Sequence, residues 1–128
     1  MRAEVKSLRS PDADLSNFIP ADPYNVNLFV EVDAGAEGED GADTFYITVA
    51  TPRALERLIR NDGPLIGRHY VFIERWDTGA VLDFIRGAFN SVEGSTWTQI
   101  SEKLARIGLW EFEDYQPYTG PGDDSGFS

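Results

Sequence analysis

NLFVEVDAGAEGEDGADTFYITVA, residues 27–50, is the stretch that decides the fold. Successive side chains of a strand point to opposite faces. From Asn27 to Asp33, Leu28, Val30 and Val32 therefore share one side, and Phe29, Glu31 and Asp33 share the other. Ala34 to Asp43 is rich in glycine and acid and reads as a turn. Thr44 to Ala50 alternates again, with Phe45, Ile47 and Val49 on one side and Tyr46 and Thr48 on the other. The two runs are expected to pair as an antiparallel hairpin across the acidic turn.

Upstream of this hairpin, Arg2 to Arg9 alternates loosely and reads as a short edge strand. Ser10 to Asn25 contains Pro11, Pro20 and Pro23, a density that excludes a helix or a central strand. It reads as an irregular loop pinned to the core by Leu15, Phe18 and Ile19.

Downstream, Thr51 is placed to cap a helix whose first residue, Pro52, has no N–H to leave unpaired. Leu55, Leu58 and Ile59 have helical spacing, and Asn61-Asp62-Gly63-Pro64 ends the segment. His69 to Trp76 reads as a third strong strand. Val81, Leu82, Ile85, Ala88, Phe89 and Val92 form one helical stripe, with Gly94 as its stop. Thr96-Trp97-Thr98-Gln99 has capping-box spacing and opens another helix, with Trp97, Ile100, Leu104 and Ile107 as its buried stripe. Gly108 suits a left-handed cap, and Leu109 to Tyr115 reads as a last strand.

The fold class is therefore α+β: a mostly antiparallel sheet of four to five strands with about three helices packed on one face. Residues 1–115 form one domain, since 128 residues suit a single core. Residues 116–128 form a Gly/Pro-rich acidic tail, whose apolar content is too low to offset ordering entropy, so a flexible tail is expected.

The chain carries 22 Asp and Glu against 11 Lys and Arg, a formal charge of −11, with one His and no Cys. Such a surface repels nucleic acid and anionic membrane and attracts a basic partner. Without cysteine there is no disulfide, thiol nucleophile or cysteine metal site. Met1-Arg2-Ala3-Glu4-Val5-Lys6 has no apolar signal region, and no apolar run approaches the roughly 20 residues of a membrane helix. A soluble, cytoplasmic protein is the expectation.

The acidic turn, with Glu31, Asp33, Glu37, Glu39, Asp40 and Asp43, invites comparison with a calcium loop. Starting at Asp33, Gly38 stands correctly at the turn position. However, Gly35 occupies a ligand position, and Thr44 stands where the bidentate Glu is required. The remaining readings are a solvated turn or a docking surface whose carboxylates speed association with a cationic partner. His69 has no second imidazole with which to share a metal, and a structural role suits it. Ser91 and Ser95 flank a helix junction, where capping explains them, and Gly120-Pro121-Gly122 lacks the lysine of a phosphate loop. In Trp110-Glu111-Phe112-Glu113-Asp114-Tyr115, alternation puts Trp110, Phe112 and Asp114 on a core face and Glu111, Glu113 and Tyr115 outside. Arg53, Arg57 and Arg60 share their helix with Glu56 and Asp62, an ordinary solvated face. No basic stripe with interleaved aromatics exists, which disfavours nucleic-acid binding.

Ala3-Glu4-Val5-Lys6-Ser7-Leu8, Ser10-Pro11-Asp12, Pro20-Ala21-Asp22-Pro23, Gly67-Arg68-His69-Tyr70, Glu93-Gly94-Ser95-Thr96-Trp97 and Leu104-Ala105-Arg106-Ile107-Gly108, running into Trp110 to Tyr115, form an ordered set. Taken together, over roughly residues 2 to 115, this set resembles the immunity protein 8 family. The resemblance implies an antidote of a bacterial polymorphic toxin system: a small cytosolic protein that binds one secreted toxin domain and blocks it. It carries over no catalytic residues, and no cofactor or metal is expected.

The expected function is stoichiometric occlusion of a basic toxin domain without catalysis. Charge and aromatic placement put the contact surface at Glu31, Asp33, Glu37, Glu39, Asp40, Asp43, Glu111 and Glu113, with Tyr46 and Tyr115 as anchors. Phe29 is a weaker candidate that also suits the core. The alternatives are an acidic DNA mimic or regulatory binding protein and, behind it, a carboxylate-based hydrolase. The hydrolase requires an acid pair in a concave pocket with a raised pKa.

Overall fold

The computed structural model describes residues 1–113. Its elements run β1 (Ala3–Arg9), β2 (Asn27–Ala36), β3 (Asp43–Ala50), α1 (Pro52–Asp62), β4 (Tyr70–Phe72), α2 (Thr78–Asn90), α3 (Trp97–Leu104) and β5 (Leu109–Trp110). The sheet order is β1-β2-β3-β4, and β5 also pairs with β3. β1/β2, β2/β3 and β3/β5 are antiparallel, whereas β3/β4 is parallel, because α1 carries the chain back before β4 begins. The architecture is α+β, as the residue pattern implies. The expected tail, and with it Tyr115, lies outside the described residues.

The hairpin is longer than its sequence suggests. β2 runs on to Ala36 because β1 holds it there: Ala3 pairs with Ala36, Glu4 with Gly35 and Val5 with Ala34. The turn shrinks to residues 37–42, where Gly38 and Gly41 take positive φ angles of 81° and 93°. Gly35 cannot carry a side chain, since a Cβ there would lie 2.2 Å from the Gly41 carbonyl oxygen.

Leu28, Val30, Val32, Ala34, Phe45, Ile47 and Val49 form the buried face of the sheet. They join Val81, Ile85 and Phe89 of α2 and Ile100 and Leu104 of α3 in one core. The Phe45 and Phe89 rings meet edge-on at 5.8 Å. Thr51 is fully buried and serves two elements: its hydroxyl oxygen accepts from Val26 N at 3.0 Å and from Ala54 N at 3.4 Å, which caps α1.

Several expected boundaries shift for identifiable reasons. The strand expected over His69 to Trp76 contracts to three residues, because the chain bends at Glu74-Arg75. Trp76 then leaves the sheet: its N–H donates to Pro23 O at 2.7 Å, and its ring meets Phe18 edge-on at 5.1 Å. Leu15 and Phe18 pin the proline loop as expected, but Ile19 is 88% exposed. α2 starts at Thr78 behind an Asp77 cap and ends at Asn90, ahead of Gly94. Asn90 Oδ1 then accepts from Val5 N at 2.8 Å and ties the helix end to β1. Gly108 is not left-handed. Its lack of a side chain serves packing, because a Cβ would lie 3.1 Å from both Ile47 Cγ2 and Phe45 Cβ. The last strand stops at Trp110, and residues 111–113 turn, so Phe112 does not continue the strand alternation expected from Trp110, and Asp114 lies outside the described residues. Phe112 is half-exposed, its ring edge-on to Trp110 at 5.8 Å.

Candidate binding surface

Helices α2 and α3 bury one face of the sheet, and the other face supplies the candidate surface. β2 contributes Phe29, Glu31 and Asp33 to it, and β3 contributes Thr44, Tyr46 and Thr48, aligned by the pairs Phe29/Thr48, Glu31/Tyr46 and Asp33/Thr44. Phe29 thus belongs to the open face and not to the core. It is 38% exposed, and its ring stacks on Tyr46 at 5.7 Å with a 16° interplanar angle. An aromatic pair in the open is the anatomy of an interface anchor.

The carboxylates divide into two groups. Glu31 and Asp33 sit on the sheet opposite Arg9 and Ser7 of β1. Arg9 bridges Glu31 at 3.3 Å and forms a short contact with Asp33. Asp33 also accepts from Ser7 Oγ at 2.7 Å and from Thr44 Oγ1 at 2.8 Å. Burial works to raise the Asp33 carboxyl, but the bonds from Arg9, Ser7 and Thr44 outweigh it and hold the group below the ordinary carboxylate range. Asp43 is likewise engaged: its Oδ2 accepts from Trp97 Nε1 at 2.9 Å and from Trp110 Nε1 at 3.0 Å. That bond accounts for Trp97 standing half-buried at the rim and not inside the α3 stripe. Glu111 Oε1 accepts from Thr44 N at 3.1 Å, and Glu113 lies 3.8 Å from Arg68.

Glu37, Glu39 and Asp40 form the second group. They are exposed at the turn, and their carboxylates have no hydrogen bond or salt bridge among the described residues. The turn beneath them is braced, since Lys6 Nζ donates to Glu39 O at 2.8 Å and to Glu4 Oε1 at 2.6 Å. A concavity of 250 Å³ beside these residues is floored by Gly35 and walled by Trp97. The structure therefore separates the eight expected acidic contacts. Three project from the turn without a hydrogen bond or salt bridge among the described residues, and five hold sheet, indole or loop partners.

Arg9 was missing from the expected surface. Its signal was present in the alternation of Ser7 and Arg9, which becomes informative once β1 is registered against Glu31 and Asp33. His69 plays the structural part expected of it: its φ is 64°, and its Nε2 lies 3.1 Å from the Ala105 carbonyl oxygen. Among the described residues no group of three or more His, Cys, Asp or Glu side chains is placed to hold a metal ion, and no helix is long and apolar enough to cross a membrane.

A family profile described as immunity protein 8 matches residues 3–115. Comparison with curated proteins and with solved structures finds no match.

Proposed function

The chain belongs to the immunity protein 8 family, and from that premise we propose that it neutralises a bacterial toxin domain by stoichiometric binding in the cytosol, without turning over a substrate. The open sheet face carries this reading. Its centre is the Phe29–Tyr46 stack, with Phe29 exposed and Tyr46 partly so, and its border is the turn bearing Glu37, Glu39 and Asp40. The aromatic centre supplies burial on contact, and the free carboxylates supply attraction without first breaking an internal pair.

The partner implied is a basic toxin domain. An acidic turn placed in a cationic cleft excludes a polyanionic substrate and accelerates encounter. Internal pairing leaves Glu31, Asp33, Asp43 and Glu111 to shape the surface and leaves the turn tip to set the rate. The test is association of the purified chain with a toxin domain against which its co-expression protects cells, followed by stopped flow at several salt concentrations. Reversing Glu37, Glu39 and Asp40 to Lys is expected to slow association about tenfold at low salt and to flatten the salt dependence. Unfolding by denaturant should stay within about 0.5 kcal/mol of the parent. Association that is unchanged by the triple reversal would remove the turn from the interface.

A further inference from the structure

The sheet has an end at β4, and the chemistry there differs from the rest of the surface. Thr48 N donates to His69 O at 3.0 Å, and Ile73 N donates to Ala50 O at 3.0 Å. In a parallel pair this phase turns the backbone groups of Val71 toward β3 and those of Tyr70 and Phe72 away from it. Among the described residues no strand pairs with that side of β4, and no hydrogen bond engages those outward groups. Unpaired N–H and C=O groups along an edge are a template for another strand.

Beside this edge runs a groove of 530 Å³, whose lining includes Val71, Phe84, Ala88 and Ile107. Phe72 is 58% exposed and Phe84 61% exposed, so two large apolar rings border it. The lining includes His69 and Arg106 and no carboxylate, on a chain of net charge −11. The Arg106 side chain has no hydrogen bond or salt bridge among the described residues. Along the strand register, Tyr70 aligns with Thr48, and Thr48 with Phe29, so the edge continues the open face described above.

We propose that the toxin adds an extended segment to β4, a strand of about three to five residues hydrogen-bonded to Tyr70 and Phe72. An apolar side chain of that segment enters the groove against Phe84 and Ile107, and a carboxylate lies beside Arg106. The inference rests on the toxin-binding reading and specifies how that partner is held. Charge complementarity selects the segment: the groove carries Arg106, unpaired among the described residues, and no carboxylate, so it favours an acidic strand on an otherwise basic partner. The free turn and the edge thus grip opposite charges, which fixes the orientation of docking.

The probe is a purified, catalytically disabled toxin domain, chosen as one against which co-expression of this chain protects cells, mixed with the full-length protein. Hydrogen exchange followed by NMR reads the Tyr70 and Phe72 amides without any mutation. Both are expected to exchange about tenfold more slowly or better in the complex. Phe72→Pro deletes an outward donor and leaves the β3 ladder intact, because proline is tolerated where the N–H faces away from the sheet. It should bind roughly tenfold more weakly with an unchanged melting temperature, and Arg106→Glu should weaken binding in the same direction. A complex that forms and silences the toxin, with both amides unprotected and Phe72→Pro at full affinity, would overturn strand addition and leave toxin binding standing. No complex with the parent chain would bring down the binding reading, and strand addition with it. Protection that grows with the concentration of the chain alone would assign the edge to a second copy and also overturn the proposal.

Discussion

The two faces of the sheet use the same alternating strands to different ends. On the closed face, Val30, Val32, Phe45 and Val49 have no measurable exposure and pack against α2 and α3. On the open face, a one-residue step along each strand brings Phe29, Glu31, Asp33 and Tyr46 into or near solvent. The difference teaches where stability and recognition reside. Burial against helices fixes the first face, whereas the second is held by polar bonds between neighbouring strands and retains an aromatic pair left partly exposed among the described residues.

The largest expected contrast is between two phenylalanines. Phe89→Ala opens a cavity at a fully buried site, where Phe45 loses its edge-on partner, and is expected to cost about 3–5 kcal/mol in denaturant unfolding. Phe29→Ala gives up the stack on Tyr46 with little cavity, so a cost under about 1.5 kcal/mol is expected. In toxin binding the order should invert at matched folded fraction, with Phe29→Ala the weaker binder. Similar unfolding costs for the two changes would break the distinction between the faces.

Next in size is Asp43, at the seam between them. One carboxylate oxygen receives both the Trp97 and the Trp110 indole N–H, tying α3 and β5 to the start of β3. Asp43→Ala leaves two part-buried donors without their acceptor, and a loss of about 1–3 kcal/mol is expected. Tryptophan fluorescence should shift with it in the native state. An unchanged spectrum and stability would make Asp43 one more exposed acid of the turn, and the separation into free and engaged carboxylates would lose its clearest member.

The hairpin was legible because its period of two is unbroken on both sides of a glycine-rich turn. The caps at Thr51 and Thr96 were legible because a hydroxyl before a helical run has one common use. Strand ends were less legible. Whether β2 stops at Asp33 or continues to Ala36 depends on β1, which lies about 30 residues away, and not on the local residues. Trp76 reads as strand by composition, yet its indole N–H finds Thr78 Oγ1 at 2.8 Å and its backbone finds Pro23, so tertiary partners end β4 early. Likewise, the acidic residues looked equivalent as a list of charges. Only the placement of Arg9, Trp97, Trp110 and Arg68 separates them, and each of those partners comes from a different element or loop. Tyr70 and Phe72 gave a weak signal, since an edge can be recognised only when the full strand order is known.

The smallest effect sharpens the reading of the open face. The Asp33 side chain is 22% exposed, so solvent screens its bonds only in part. Its carboxyl lies below the ordinary range in the folded chain: burial opposes the charge, and Arg9, Ser7 and Thr44 overcome that opposition. A depressed folded value means that the unfolded chain takes up the proton first as pH falls. The stabilisation is therefore complete above the unfolded value of about 3.9 and is lost as pH drops through the folded value. Asp33→Asn is expected to be about 1 kcal/mol less stable at pH 7, with the gap to the parent closing below about pH 4. Urea unfolding across that range measures it. A gap that stays constant down to pH 2 would mean that the charge of Asp33 contributes nothing beyond the shape of its bonds. A gap that closes would commit the Asp33 charge to the fold, so that attraction of a cationic partner falls to Glu37, Glu39 and Asp40.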